Sequence, residues 1–258
     1  MRRPIIYILA LVVSAPALAS LIRPDSFLRT PERQVFTLKF IDTSAGECEI
    51  ETLPPTVVRG KPALHYRATV KTIGLFWFVY PYSQVVNVYV DPKKAVPFFV
   101  DVNVRDRKKT QHTQIRLDGT TLRGEEIEDS SEPDEPSHHR KKMWTITPGA
   151  QSIFSILPVL RASKLKPGAK IAFPISHDEK NGTFDAEVRG VEKIHVRGAG
   201  EQDAYVVHVG RAFIDKFYGG AREEPVLWFS TDGKNKLLRF EYKHKRGKIF
   251  ALLDPQNG

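Results

Sequence analysis

Alternation of apolar and polar residues constrains the fold of this chain more than any other feature. The run LHYRATV at residues 64–70 is a clear case, because every second residue is apolar or aromatic. A sheet with one buried and one wet face requires this pattern, since residues i and i+2 of a strand share a face. Roughly ten to twelve such segments follow one another, separated by turn residues such as Asn181-Gly182 and Asp232-Gly233. The sequence therefore predicts a mainly β domain over residues 35–253, a large antiparallel curved sheet or β-barrel with one or two short helices packed against it.

Two stretches depart from the alternation. Residues 149–165 carry Ile153, Phe154, Ile156 and further apolar residues at helical spacing, which predicts a helix laid against the sheet. Residues 72–82 concentrate aromatic side chains in a run that fits a short buried helix as well as a strand.

Residues 124–142 are poor in apolar side chains. An acidic block is followed by the basic block HHRKK at residues 138–142, and two prolines interrupt the segment. A segment of this composition buries too little apolar surface to fold by itself. We therefore predict a mobile, charged surface loop here.

Residues 1–19 predict an export signal. Two arginines precede an apolar run at residues 5–13, and the sequence ALA at 17–19 has the small-x-small pattern of a cleavage site, so cleavage is expected after Ala19. The apolar run is far shorter than the ~20 residues of a membrane-spanning helix. We expect a protein exported to the periplasm of a Gram-negative bacterium, soluble after cleavage and not an integral membrane protein. Residues 20–34 then form an N-terminal extension.

The charge of the chain limits its partners. The formal net charge is +9, and removal of Arg2 and Arg3 with the signal lowers it to +7. Such a surplus favours acidic neighbours such as lipid phosphates, anionic glycans or acidic proteins, although solubility alone is an alternative reason for it. Export and the scattered placement of the basic residues argue against nucleic acid. We expect a monomer.

Cys48 is the single cysteine, so no intramolecular disulfide forms. Its neighbours Glu47 and Glu49 raise the pKa of the thiol and disfavour the reactive thiolate. A buried or half-buried strand cysteine is expected rather than a nucleophile.

Several short motifs together resemble a known family. They are SIFSILPVLR at 152–161, LKPGA at 165–169, PVLWFSTD at 225–232, LLRF at 237–240 and YRATVKT at 66–72. This set is similar to DUF3108, a family of exported bacterial proteins of unknown function. The resemblance implies an exported β-rich fold with helices laid on the sheet, and it supplies no catalytic residues. Pro158 and Val159 stand where the family usually has an aromatic pair, and the charged segment at 125–142 is longer than usual.

No catalytic residue, metal site or cofactor is predicted. Adjacent residues such as His138 and His139 point to opposite faces of a strand, which does not suit a shared metal. The triad-type residues at 176–178 are too close in sequence to converge. Asp185 and Glu187 share a strand face and fit a glycosidase pair, with solvated strand carboxylates as the alternative.

Five residues are candidates for ligand binding. Arg161 ends the apolar helix, where a cation complements the helix dipole or reaches an anionic ligand. Trp77, Phe78 and Tyr80 either pack into the core or line an apolar cavity beneath a helix that covers an open barrel. Trp228, in the late Trp-x-Ser strand, completes the set.

We therefore hypothesise a non-catalytic protein of the cell envelope that binds an anionic lipid, a glycan or a partner protein. One alternative is an envelope glycan hydrolase with paired carboxylates. Another is a structural scaffold that docks a partner through a sheet edge or through the segment at 124–142.

Overall fold

The structure, a computed structural model, describes residues 29–133, 135–218, 222–244 and 247–254. The predicted signal peptide and residues 20–28 of the predicted extension lie outside these ranges. The strands are β1 Glu32–Phe40, β2 Thr43–Val58, β3 Lys61–Thr72, β4 Tyr82–Val90, β5 Pro97–Asp106, β6 Thr110–Asp118, β7 Arg123–Ser131, β8 His138–Thr145, β9 Lys170–His177, β10 Lys180–Val196, β11 Gly200–Val209, β12 Val226–Ser230, β13 Leu237–His244 and β14 Gly247–Leu253. The helices are α1 Gly74–Val79, α2 Ile156–Ala162 and α3 Arg211–Phe217, and a 3₁₀ turn at Ile153–Ser155 leads into α2.

All fourteen strands form one antiparallel sheet in the order β8-β7-β6-β5-β4-β3-β2-β1-β14-β13-β12-β11-β10-β9. Within the described ranges, each strand pairs with the next strand in sequence, except that β8 does not form a ladder with β9. One further ladder joins β1 to β14 in the middle of the sheet. The alternation produces this arrangement, because each strand turns one apolar face to a common interior. The predicted fold class is confirmed.

The core lies on the inner face of the curved sheet. Phe36, Ile115, Phe184 and Phe229 come from strands far apart in the order, and each is almost completely buried. Residues of α2 join the same cluster, so α2 fills part of the interior. Full burial of a side chain of this kind contributes about 1.5–3 kcal/mol to stability. No helix within the described ranges has the length and apolar composition needed to cross a membrane.

The two end strands of the ladder, β8 and β9, meet at a seam bridged by side chains. Trp144 on β8 donates from Nε1 to Ser176 Oγ on β9 at 2.8 Å, and Asn181 Nδ2 donates to the carbonyl of Thr145 at 2.8 Å. Gln151, just beyond β8, makes an isolated parallel bridge with Ile175. The sheet thus curls until its two ends touch, and side-chain hydrogen bonds together with this single bridge join them in place of a β8–β9 ladder.

Residues 124–142 are not a loop, and the prediction of a mobile segment was wrong. They form most of β7 and β8, joined by a short connection. The two strands carry opposite charges. Glu126 lies across from Lys142 and pairs with it, and Glu125 pairs with Lys141. Cross-strand ion pairs of this kind support a sheet that is poor in apolar residues.

Two further predictions need correction. The run at 72–82 does form a helix, α1, but the helix buries none of its residues, so the expectation of core packing was wrong. The strand composition of residues 204–214 predicts a single strand, but β11 ends at Val209 and Arg211–Phe217 form α3 after Gly210.

Candidate functional site

An apolar cleft lies between α2 and the inner face of β2–β4. Its volume is about 110 Å³. Ile50, Ala68 and Val86 are register partners across the three strands and form one row of the wall. The remaining lining residues are Glu51, Thr52, Tyr66, Arg67, Val88, Phe154, Leu157, Pro158 and Arg161. The cleft is therefore apolar on most sides, with the polar groups of Thr52, Tyr66 and Arg161 at its wall.

Arg161, the predicted cation at the end of α2, is buried in this wall. Its Nη2 donates to Glu32 Oε2 at 2.8 Å, its Nη1 to Gln34 Oε1 at 3.3 Å and its Nε to the carbonyl of Asn235 at 3.1 Å. Asn235 returns the contact by donating from Nδ2 to the carbonyls of Arg161 and Ser163 at 2.9 Å each. These contacts fix the end of α2 to β1 and to the loop before β13, and they neutralise the charge of Arg161 largely within the chain.

The structure separates the other four candidates from the cleft. Trp77, Phe78 and Tyr80 lie on or just beyond α1, where the end of β3 is connected to the start of β4. Their side chains are exposed. None of them lines the cleft. Trp228 belongs to a second apolar cluster, outside the main core, with Ala204, Val206 and Leu238. The predicted ligand-binding set is thus spread over three places.

Trp228 has structural partners on other strands of the sheet. The guanidinium of Arg239 lies 4.9 Å from the ring centroid of Trp228, a cation–π distance. The indole Nε1 donates to Glu192 Oε2 at 3.2 Å. The ring of Trp228 therefore contacts Arg239 and its N–H contacts Glu192, so both groups already have partners within the protein.

A group of charges at the seam was missed by the sequence reasoning. Lys142, nearly buried, pairs with Glu126 Oε1 at 3.2 Å and also contacts Asp178 on the β9–β10 turn. The hydrogen bond from Lys142 lowers the pKa of Asp178. The opposite charges of residues 124–142 were the available signal, since two blocks of opposite sign suit adjacent strands.

His177 lies beside these charges in a less polar setting. Its ring meets Phe154 edge-on, with centroids 5.5 Å apart, and its Nδ1 is buried without a hydrogen-bond partner among the described residues. Burial lowers the pKa of His177 to about 4. The side chain is therefore neutral near pH 7.

The described residues contain no group of three or more His, Cys, Asp or Glu side chains arranged for a metal ion. His139 Nδ1 instead pairs with Asp129 Oδ1 at 2.7 Å on the outer face. Ser176 Oγ donates to Asn181 Oδ1 at 2.7 Å, so it is turned to Asn181 rather than to His177.

The carboxylate pair considered for glycan hydrolysis lies on the outer face of β10. Asp185 is exposed and Glu187 is half-buried. Both line an open groove together with Lys170, Arg189 and Glu224, and Arg189 Nη2 pairs with Glu224 Oε2 at 2.6 Å. Two carboxylates on one strand face do not stand on opposite sides of a bound sugar, which is the arrangement that glycoside hydrolysis uses.

Comparison with known proteins assigns the chain to a family. No curated protein matches the chain. A crystal structure of a beta-barrel-like protein of domain of unknown function DUF1849 from Brucella abortus aligns with a TM-score of 0.48 at 9% identity, covering 88% of this chain and 96% of that one. The sequence pattern of the family DUF3108, which is described as a protein of unknown function, matches residues 35–254. The chain therefore belongs to the DUF3108 family.

Proposed function

We propose that the protein is a non-catalytic binding protein of the cell envelope that takes part of an alkyl chain of an anionic lipid into the cleft between α2 and β2–β4. One observation carries the proposal: a cleft with apolar walls has a buried cation, Arg161, at its side. Ligand sites are typically apolar concavities with a few polar groups that orient the ligand.

The size of the cleft suits part of an alkyl chain. An apolar cavity of about 150 Å³ holds a benzene molecule. The cleft is somewhat smaller, at about 110 Å³, and therefore takes only a short part of an alkyl chain. The next row of register partners on the inner face, on the side toward α1, consists of Cys48, Val70 and Gln84. These three residues are only half-buried. An alkyl chain that enters near α1, at the ends of β3 and β4, would follow this row to the cleft.

Arg161 offers hydrogen-bond donors to a ligand without needing to leave its partners. A guanidinium carries five N–H donors, and the three contacts with Glu32, Gln34 and Asn235 use three of them. The side chain can therefore stay anchored while its remaining donors face an anionic group at the cleft.

Native mass spectrometry of the protein purified from the periplasm tests the proposal. We expect adducts whose masses match envelope lipids. Ala68→Phe fills the cleft and should remove the adducts, whereas Ala172→Phe, at an exposed position of β9, should leave them. A clean mass without adducts, together with no thermal shift on addition of phosphatidylglycerol, contradicts the proposal.

A further inference from the structure

The segment around α1 exposes an unusual amount of apolar surface. Phe78 is 80% exposed and Leu75 is 74% exposed, and Trp77, Val79 and Tyr80 are exposed as well. Five of the six residues at 75–80 are thus large apolar side chains in contact with solvent. Single exposed apolar residues are common on proteins, but a contiguous patch of this kind marks an interaction surface.

The segment is held in a defined conformation. Thr72 Oγ1 donates to the carbonyl of Tyr80 at 3.0 Å and accepts from the backbone N–H of Tyr82 at 3.0 Å. The backbone N–H of Ile73 also bonds to the carbonyl of Ala45 on β2 at 3.1 Å. These contacts hold both ends of the segment against the sheet. α1 therefore projects from the ends of β3 and β4 as a fixed apolar tip.

A basic turn lies next to the tip. Tyr82, which follows α1, pairs with Asp106 at the end of β5. Arg105, Arg107 and Lys108 surround Asp106; all three are exposed, and none makes an ion pair within the described residues. The carboxylate of Asp106 accepts the backbone N–H groups of Lys108 and Lys109, at 2.7 and 2.8 Å. The turn therefore presents three cations beside the apolar tip.

We propose that this surface, residues 75–80 with Arg105, Arg107 and Lys108, docks the protein on an anionic lipid bilayer. Trp, Phe and Leu inserted at the level of the headgroups, with Lys and Arg beside them on the anionic surface, are the pattern of interfacial membrane binding. Docking does not require the cleft to hold a ligand, so each proposal can fail without the other.

Flotation with lipid vesicles tests the docking. Protein purified after export is mixed with vesicles of phosphatidylcholine, with or without phosphatidylglycerol. We expect binding to the vesicles that contain phosphatidylglycerol, and weaker binding at high salt. Trp77→Ser with Phe78→Ser should weaken the partition by at least about tenfold, since each buried aromatic side chain contributes about that factor.

A matched control separates the tip from apolar surface in general. Val57→Ser with Met143→Ser removes two exposed apolar side chains elsewhere, 68% and 55% exposed, and should leave the partition unchanged. Charge reversal at Arg105, Arg107 and Lys108 to Glu should abolish the preference for phosphatidylglycerol.

Three results would overturn the docking. The first is equal partition of the tip variant and its control. The second is equal binding to vesicles with and without phosphatidylglycerol. The third is no vesicle binding together with self-association that the tip substitutions abolish, which would assign the surface to a second copy of the chain.

Discussion

Trp144 on β8 donates its indole N–H to the hydroxyl of Ser176 on β9, at 2.8 Å, and so joins the two strands that end the ladder. Trp144 reaches this position because Gly124 lies across from it on β7. A Cβ on residue 124 would stand 2.4 Å from the indole ring. The seam therefore depends on a glycine, an indole and a hydroxyl, each on a different strand.

Ser176→Ala should destabilise the protein by about 1–3 kcal/mol, because it removes the acceptor of the indole N–H in a place that water reaches poorly. Urea unfolding followed by far-UV circular dichroism measures the change. Ser131→Ala, which removes an exposed hydroxyl partner of Thr110, serves as the control and should change stability by at most about 0.5 kcal/mol. Equal effects of the two substitutions would mean that the seam hydrogen bond carries no special weight.

Arg161→Met should destabilise the protein by about 3–5 kcal/mol, since it leaves the carboxylate of Glu32 without its closest cation. Lys236 remains at 3.5 Å and offers only partial compensation. The double variant Glu32→Gln with Arg161→Met should recover part of the loss in a double-mutant cycle. Lys71→Ala breaks an exposed pair with Glu47 and should change stability by less than about 1 kcal/mol.

The stability of the protein should fall between about pH 6.5 and pH 4 because of His177. Burial lowers the pKa of His177 to about 4, from 6.5 in an unperturbed histidine. In this range the unfolded chain takes up a proton that the folded chain does not, so the free energy of unfolding falls as the pH falls and levels off below the folded pKa. The effect is at most about 3.5 kcal/mol, since one pKa unit is about 1.4 kcal/mol.

Urea unfolding midpoints at pH 7 and pH 5 measure this dependence. His177→Leu should flatten it, whereas His195→Leu, at an exposed position of β10, should leave it in place. A wild-type midpoint that does not change between the two pH values would show that His177 is not buried as described.

Cys48 should react slowly with a thiol reagent at pH 8 in the folded protein. Loss of water around the half-buried side chain, with Glu49 and Glu47 beside it, raises the pKa of the thiol to about 12, so the thiolate fraction is very small. Absorbance after addition of a disulfide reagent measures the rate. Unfolding in urea should accelerate the reaction strongly, and rapid labelling of the folded protein would contradict the described surroundings of Cys48.

The sequence was sufficient for the sheet and for the helix at Ile156–Ala162, because local periodicity reports which face of an element is buried. It failed at residues 124–142, where the partners of the acidic strand are basic residues of the next strand. Composition alone treats such a segment as solvated, whereas Glu126 is buried against Lys142.

The candidate site was harder to predict than the fold. The aromatic content of residues 72–82 indicated burial, yet α1 stands in solvent, since hydrophobicity does not state what covers a side chain. Arg161 was identified as a notable cation, but its partners Glu32 and Asn235 lie far away in sequence. Only the pairing of β1 with β14 and the fold of the interior bring them together.

The pairing of β1 with β14 also sets an order of assembly. Phe36 stands across from Leu253, so this ladder joins the two ends of the domain, and closing so long a loop is slow. The other ladders are local hairpins, so β1–β8 and β9–β14 can each form as a separate meander while β1 keeps an open edge. Because a chain is synthesised from its N-terminus, β1 remains unpaired on this side until β14, the last strand, has been synthesised. A strand edge that stays unpaired can pair with other chains, so the nascent protein needs protection from aggregation until β14 has been synthesised.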